Sequence, residues 1–144
     1  MEDPIASVTL FETDAPSQEV SAAALDILQT FTSASVPRLD NHDFALLLKG
    51  ESDNLVGGLI AKARWGGLLV EILALSETLR RQGWGSKLMQ KAEVEARRRG
   101  CLHMRLDTYV FPAKPFDEAH GFEVYGQIDG PEPYYPHYFM MKAL

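Results

Sequence analysis

The sequence predicts an α/β domain built on a mixed sheet, and three observations carry that reading. Residues 68–75 are short, apolar except for Glu71, and rich in β-formers, as a buried strand requires. Residues 85–99 then place Leu88, Met89, Ala92 and Ala96 on one helical face. Residues 102–109 alternate Leu102, Met104 and Leu106 against His103, Arg105 and Asp107, the two-residue period of a strand. Strand, helix and strand at this spacing make a parallel unit with a right-handed crossover. Tight turns elsewhere join antiparallel neighbours, which gives a mixed sheet of about six to seven strands with flanking helices.

In chain order, residues 7–13 are rich in β-formers and read as the first strand. Asp14 to Ser17 form a turn. Ser17 can cap a helix whose apolar face is Val20, Ala24, Ile27, Leu28 and Phe31. Residues 33–41, with Pro37, form a loop. Residues 44–49 and 55–64 flank the turn cluster Gly50-Glu51-Ser52-Asp53-Asn54 and make an antiparallel hairpin. Trp65-Gly66-Gly67 turns the chain into the central strand; Trp65 borders a pocket or covers a sheet edge. Gly100 stops the long helix, and Arg97, Arg98 and Arg99 suit its negative end better than they suit a basic patch. Residues 115–120 form a short helix ended by Gly121. Residues 122–128 and 138–142 are the last strands, joined through Gly130-Pro131-Glu132-Pro133. The order β-α-β-β-β-α-β-α-β-β fills a single domain over residues 1–144.

A formal net charge of −6 and a pI near 5.1 argue against nucleic acid as a main partner; they lean toward neutral or cationic small molecules, but acidity of this size first serves solubility. Cys101 is the single cysteine, so neither an internal disulfide nor a thiolate metal cluster can form. His42, His103, His120 and His137 show no paired metal-ligand spacing and read as surface or packing residues. The acidic start Met1-Glu2-Asp3-Pro4 lacks an apolar core, and no run is long enough to span a membrane, so a cytoplasmic location is expected.

The turn between the central strand and the long helix is Arg80-Arg81-Gln82-Gly83-Trp84-Gly85-Ser86. Its amides fall at a positive helix end flanked by two arginines, a ready site for a pyrophosphate. The glycines let the backbone approach the phosphate oxygens. Leu88 stands where the dinucleotide fingerprint needs its third glycine, and Gly85-Ser86-Lys87 has the wrong order for a nucleoside-triphosphate loop. What fits is Arg-x-x-Gly-x-Gly at Arg80, Gly83 and Gly85. With its flanking strand and helix, it resembles the acetyl-CoA-binding motif of the GNAT superfamily of N-acetyltransferases. The likeness extends over roughly residues 5–144: Asn54-Leu55-Val56-Gly57-Gly58-Leu59 is similar to the family's third strand, and His120-Gly121-Phe122-Glu123 to its ending after the last helix.

The resemblance implies acetyl-CoA as acyl donor, a small-molecule amine as acceptor, direct attack in a ternary complex, and no metal. A homodimer is an expectation from the family alone. It implies a central strand splayed from its parallel neighbour, so that Leu73, Ala74 and Leu75 meet the pantetheine arm through their backbone. The amide of Leu75 would serve as oxyanion donor, and Arg80, Arg81, Gln82, Gly83, Trp84, Gly85 and Ser86 would hold the pyrophosphate.

Glu71 is the charged residue within residues 68–75, and alternation places it with Leu69, Leu73 and Leu75. Partial burial would make its carboxylate more basic, as a general base or amine anchor needs. A structural pair with Arg64 or Arg105 is the other reading. The family's thiolate-protonating tyrosine in the last helix is replaced by Asp117, after Phe116, and an aspartate is ordinarily ionised at neutral pH. A Gln or Asn that small bacterial members of the family carry a few residues earlier is replaced by Pro112. The thiolate then leaves unassisted, or Tyr109, Tyr134 or Tyr135 supplies the hydroxyl, with Tyr109 the named candidate. An acyl-cysteine route through Cys101 and His103 is a minor alternative. These departures leave two other readings: an acyl-CoA-sensing domain with weak or no catalysis, and an unrelated module holding another phosphate.

Overall fold

A computed structural model describes residues 7–35, 42–109, 113–133 and 135–144. Pro37, Pro112 and Tyr134 lie outside the described residues. The chain divides into two compact units, Met1–Arg38 and Leu39–Leu144.

In the first unit, helix α1 spans Gln18–Ser35. Ser17 caps it as expected, its Oγ accepting from the Val20 amide at 3.1 Å. The strand expected at residues 7–13 is not formed; Val8, Leu10 and Phe11 are exposed. A run of β-formers becomes a strand only with a ladder partner, and the six strands of the sheet all come from residues 42–143.

The second unit holds strands β1 (His42–Lys49), β2 (Leu55–Arg64), β3 (Gly67–Leu75), β4 (His103–Thr108), β5 (Glu123–Ile128) and β6 (His137–Ala143) in the order β1-β2-β3-β4-β6-β5. Only β3 and β4 pair in parallel; the other neighbours are antiparallel. Helix α2 (Trp84–Arg98) connects that parallel pair, and helix α3 (Ala113–Ala119) follows β4. Predicted and observed bounds agree within about two residues, the usual fraying of element ends.

One face of the sheet carries the core. Leu59, Ala61 and Ala63 of β2, Leu68 and Val70 of β3, Met104 and Leu106 of β4, and Met140 of β6 are buried with Leu88, Met89, Ala92 and Ala96 of α2. All four helix residues are those picked out by the helical spacing. Helix α2 stops in a Schellman motif: the Gly100 amide donates to the Arg97 carbonyl and the Cys101 amide to that of Ala96, with Gly100 at φ 75°. Arg97, Arg98 and Arg99 pair with Glu93 and Glu95 one turn earlier, so they are not a free basic patch.

Trp65 (φ 55°) and Gly66 (φ 75°) form a two-residue hairpin loop with both residues left-handed, the geometry that matches strand twist. This places Trp65 at the β2–β3 tip, at the far end of β3 from Leu75, roughly 25–30 Å away along the strand. It stands at the end where β3 and β4 pair.

Lys142 of β6 donates to Glu93 of α2 at 2.7 Å, with both side chains mostly buried, and the ammonium holds the Glu93 carboxyl below its usual pKa. A depressed carboxyl stabilises the fold above its ordinary pKa of 4.5, and that stability is lost as pH falls through the lower folded value. Glu93→Gln is expected to cost about 1–2 kcal/mol at pH 7 and less at pH 2, read by urea unfolding at both.

Candidate active site

The parallel ladder is short. Gly67, Leu68 and Leu69 pair with His103, Met104 and Arg105, after which β3 runs on to Leu75 and β4 to Thr108 without pairing each other. The splay opens a cleft of about 330 Å³, lined by Val70 to Leu73, Met89, Leu106 to Thr108, Ala113, Phe116 and Asp117. Leu73 therefore lines the cleft. Ala74 and Leu75 instead border a second, more apolar hollow of about 350 Å³ with Val56, Gly57 and Gly58.

Beyond Leu75 the chain makes a short 3-10 turn, Glu77–Leu79, and then the bend Arg80–Ser86. Arg81 (φ 63°) and Gly83 (φ 82°) are both left-handed there. The bend is exposed at Arg80 to Gly83 and half-buried at Trp84 to Ser86. The Gln82 side chain braces it by donating to the Thr78 carbonyl at 2.7 Å. The Lys87 amide donates to the Gly83 carbonyl, but the amides of Gln82 to Ser86 make no backbone hydrogen bond among the described residues. No side chain caps this helix end. Uncapped amides at a positive helix end are complementary to a diphosphate, so these residues fit the group that the sequence led us to expect. The two glycines differ in purpose. A Cβ on Gly83 would meet nothing within 4 Å, so its φ is what requires glycine. A Cβ on Gly85 would press on Phe116 at 3.3 Å, so Gly85 admits α3 against α2.

Glu71 sits on a β-bulge. Ile60 pairs with Ile72 and Ala61 with Val70, which leaves Glu71 as the extra residue of β3. The bulge shifts the phase of the strand: Leu68 and Val70 before it face the core, and so do Leu73 and Leu75 after it. The expected grouping of Glu71 with Leu73 and Leu75 therefore fails. Glu71 pairs with Lys62 at 3.2 Å, on the face away from α2, and its side chain is one-third exposed. Neither expected partner takes it: Arg64 binds Asp43, and Lys62 supplies the cation.

On β4, Asp107 accepts from His137 Nε2 at 2.7 Å. His137 is buried, stacked on Tyr109 at 3.8 Å and against Phe139 at 4.3 Å. Tyr109 itself is exposed and is not among the residues lining the cleft. Tyr135 packs over Gly130. Sequence reading passed over the Asp107–His137 pair, because thirty residues separate the two and only the β4–β6 pairing joins them.

Asp117 is 5% exposed and lines the cleft. Burial pushes its carboxyl up to about 6, with the nearby His120 partly opposing the rise. Its carboxyl is thus more basic than an ordinary aspartate, while remaining mostly ionised at pH 7. A carboxyl in this range holds a proton for part of the time near neutral pH and can donate it. Cys101 is buried and its thiol is pushed up by burial, which makes it a poor nucleophile, while the His103 ring lies over Gly67. The acyl-cysteine route has no support in this arrangement. Among the described residues no group of three His, Cys, Asp or Glu could hold a metal ion, and no helix is long and apolar enough to cross a membrane.

The chain matches known proteins over most of its length. It is 32% identical over 115 residues to acetyltransferase Atu2258 of Agrobacterium fabrum (strain C58 / ATCC 33970), covering 80% of this chain and 84% of that protein. It is 30% identical over 102 residues to the blasticidin-S acetyltransferase of Streptomyces morookaense, covering 70% and 75%. A crystal structure from Agrobacterium tumefaciens, assigned as an acetyltransferase, superposes with a TM-score of 0.87 at 27% identity, over 95% of this chain and all of that one. The family model for acetyltransferases of the GNAT type matches residues 8–122. With the splayed parallel pair and the uncapped bend before α2, these matches agree on one assignment: the chain belongs to the acetyltransferase (GNAT) family, whose members are acetyl-CoA-dependent acetyltransferases.

Proposed function

We propose that residues 1–144 form a single N-acetyltransferase domain that moves the acetyl group of acetyl-CoA to a primary amine of a small, cationic molecule, by direct attack in a ternary complex. The observation that carries this reading is the end of the β3–β4 ladder at Leu69 and Arg105, with β3 then leading into a bend whose Gln82–Ser86 amides make no backbone hydrogen bond among the described residues. The bend Arg80–Ser86 takes the diphosphate. The open backbone of Leu73, Ala74 and Leu75 pairs with the pantetheine arm, and the Leu75 amide faces the developing oxyanion. Glu71, on the far face with Lys62, meets the amine and takes or directs its proton. For the departing sulfur, Asp117 inside the cleft is better placed than Tyr109, which is stacked on His137 outside it. The similarity to a blasticidin-S acetyltransferase supports a small-molecule acceptor.

Acetyl-CoA at about 100 times its Kd is expected to raise the melting temperature by several degrees, since such binding adds roughly 2.7 kcal/mol to the folded state. A screen of primary amines for CoA release then identifies the acceptor class. The absence of any acetyl-CoA shift would overturn the reading.

A further inference from the structure

We propose that Glu71 and Asp107 form a two-carboxylate clamp that receives the acceptor as an ammonium ion, with His137 as the residue that positions Asp107. The proposal deepens the reading above and rests on it for placing the thioester in the same cleft. The last rung of the parallel ladder joins Leu69 to Arg105. Glu71 and Asp107 each lie two residues beyond that rung, so they stand level on the two lips of the splay. Both line the cleft. Alternation with the buried Leu106 puts Asp107 on the face away from α2, the face on which Lys62 meets Glu71.

Carboxylates directly across paired strands are destabilising unless each has its own partner. Here each is braced from behind. Lys62 of β2 holds Glu71 from one side, and His137 of β6 holds Asp107 from the other. The aromatic sandwich of Tyr109 and Phe139 fixes the imidazole that does so. Among the described residues no donor other than His137 reaches the Asp107 carboxylate, whose side chain is 43% exposed. The space between the lips is thus bounded by two carboxylate-bearing side chains, Glu71 and Asp107, each with its own partner on the outer side. In the same cleft, the buried Asp117 has no hydrogen-bond donor among the described residues. The complement of such a space is a compact cation with several N–H donors, and a primary ammonium has both properties. Each carboxylate accepts one N–H bond, and the nitrogen is centred at the mouth of the splay.

The test is calorimetric titration of the CoA-saturated protein with benzylamine, 1,4-diaminobutane and the uncharged benzyl alcohol. Both ammonium probes are expected to bind and the alcohol is not. Asp107→Asn should weaken both at least about tenfold, the size of a lost charged hydrogen bond. Its melting temperature should stay near the native value, because Asp107 is half-exposed and asparagine keeps an acceptor for His137. His137→Ala should weaken ammonium binding to a similar degree. His137→Gln, which keeps an N–H donor, should restore most of it, a rescue that a purely structural histidine would not give. The Glu71→Gln, Asp107→Asn double variant should bind little worse than the weaker single variant, since the two share one cation. The clamp is overturned if neither ammonium binds, if the alcohol binds as well as they do, or if Asp107→Asn weakens neither. Should that variant fail to fold, the native preference for ammonium over alcohol decides. Loss of the clamp with an intact acetyl-CoA melting shift leaves the acetyltransferase reading standing.

Discussion

Replacing Glu71 by glutamine is expected to lower kcat by about 10²–10⁴-fold, the usual span for removing a general base, while acetyl-CoA affinity stays within about twofold. The split follows from position. Glu71 is on the face of the sheet turned away from α2, whereas the Arg80–Ser86 bend leads into the α2 N-terminus. The bulge brings Leu73 and Leu75 back onto the core face, while Glu71, next to the buried Val70, stays on the face away from α2 with Lys62. Lys62 keeps its cost low, because a one-third exposed ion pair is close to neutral for stability. Glutamine keeps the shape and loses only the charge, so the fold should be unaffected. Steady-state rates across pH with native and Glu71→Gln protein check this. Superimposable profiles would remove Glu71 from the reaction.

Much of this layout was legible in the residues, and its limits have physical causes. The α2 core face followed from spacing, since a helix in contact with a sheet must repeat its apolar positions every three to four residues. The bend was readable because glycines beside arginines at a strand–helix junction have few structural alternatives. Glu71 was conspicuous as a charge among aliphatics. Its surroundings were not, because a bulge changes the phase of a strand without any mark in composition. Residues 7–13 show the converse limit: β propensity states a preference, and the ladder partner decides. The Asp107–His137 contact depends on β6 returning beside β4, a long-range pairing that no local pattern encodes. Asp117 was noticed for the residue it replaces, yet its chemistry depends on burial, which a seven-residue helix does not reveal by periodicity.

Asp117→Asn is expected to stabilise the protein at pH 8 and to leave its stability unchanged at pH 3. The native carboxyl titrates at about 6 when folded, against 3.8 ordinarily. The sign follows from proton counts. Below 3.8 both states hold the proton and nothing is lost. Between 3.8 and about 6 the folded state binds more protons than the unfolded one, so stability falls as pH rises. Above about 6 both are ionised and the fold carries the whole cost of a buried charge, roughly 2–3 kcal/mol for a shift of this size. Asparagine has the same shape and no charge, so it removes that cost. Urea unfolding at pH 3 and pH 8 reads the difference, and equal native and variant stabilities at pH 8 would mean that the carboxyl is solvated. A residue that weakens the fold at working pH is retained where the reaction uses it. Turnover by Asp117→Asn should fall most where the native carboxyl still holds part of its proton, near and just above pH 6, because asparagine has no acidic proton to release to the departing sulfur. A variant both more stable and as fast as the native enzyme would assign the burial of Asp117 no chemical purpose.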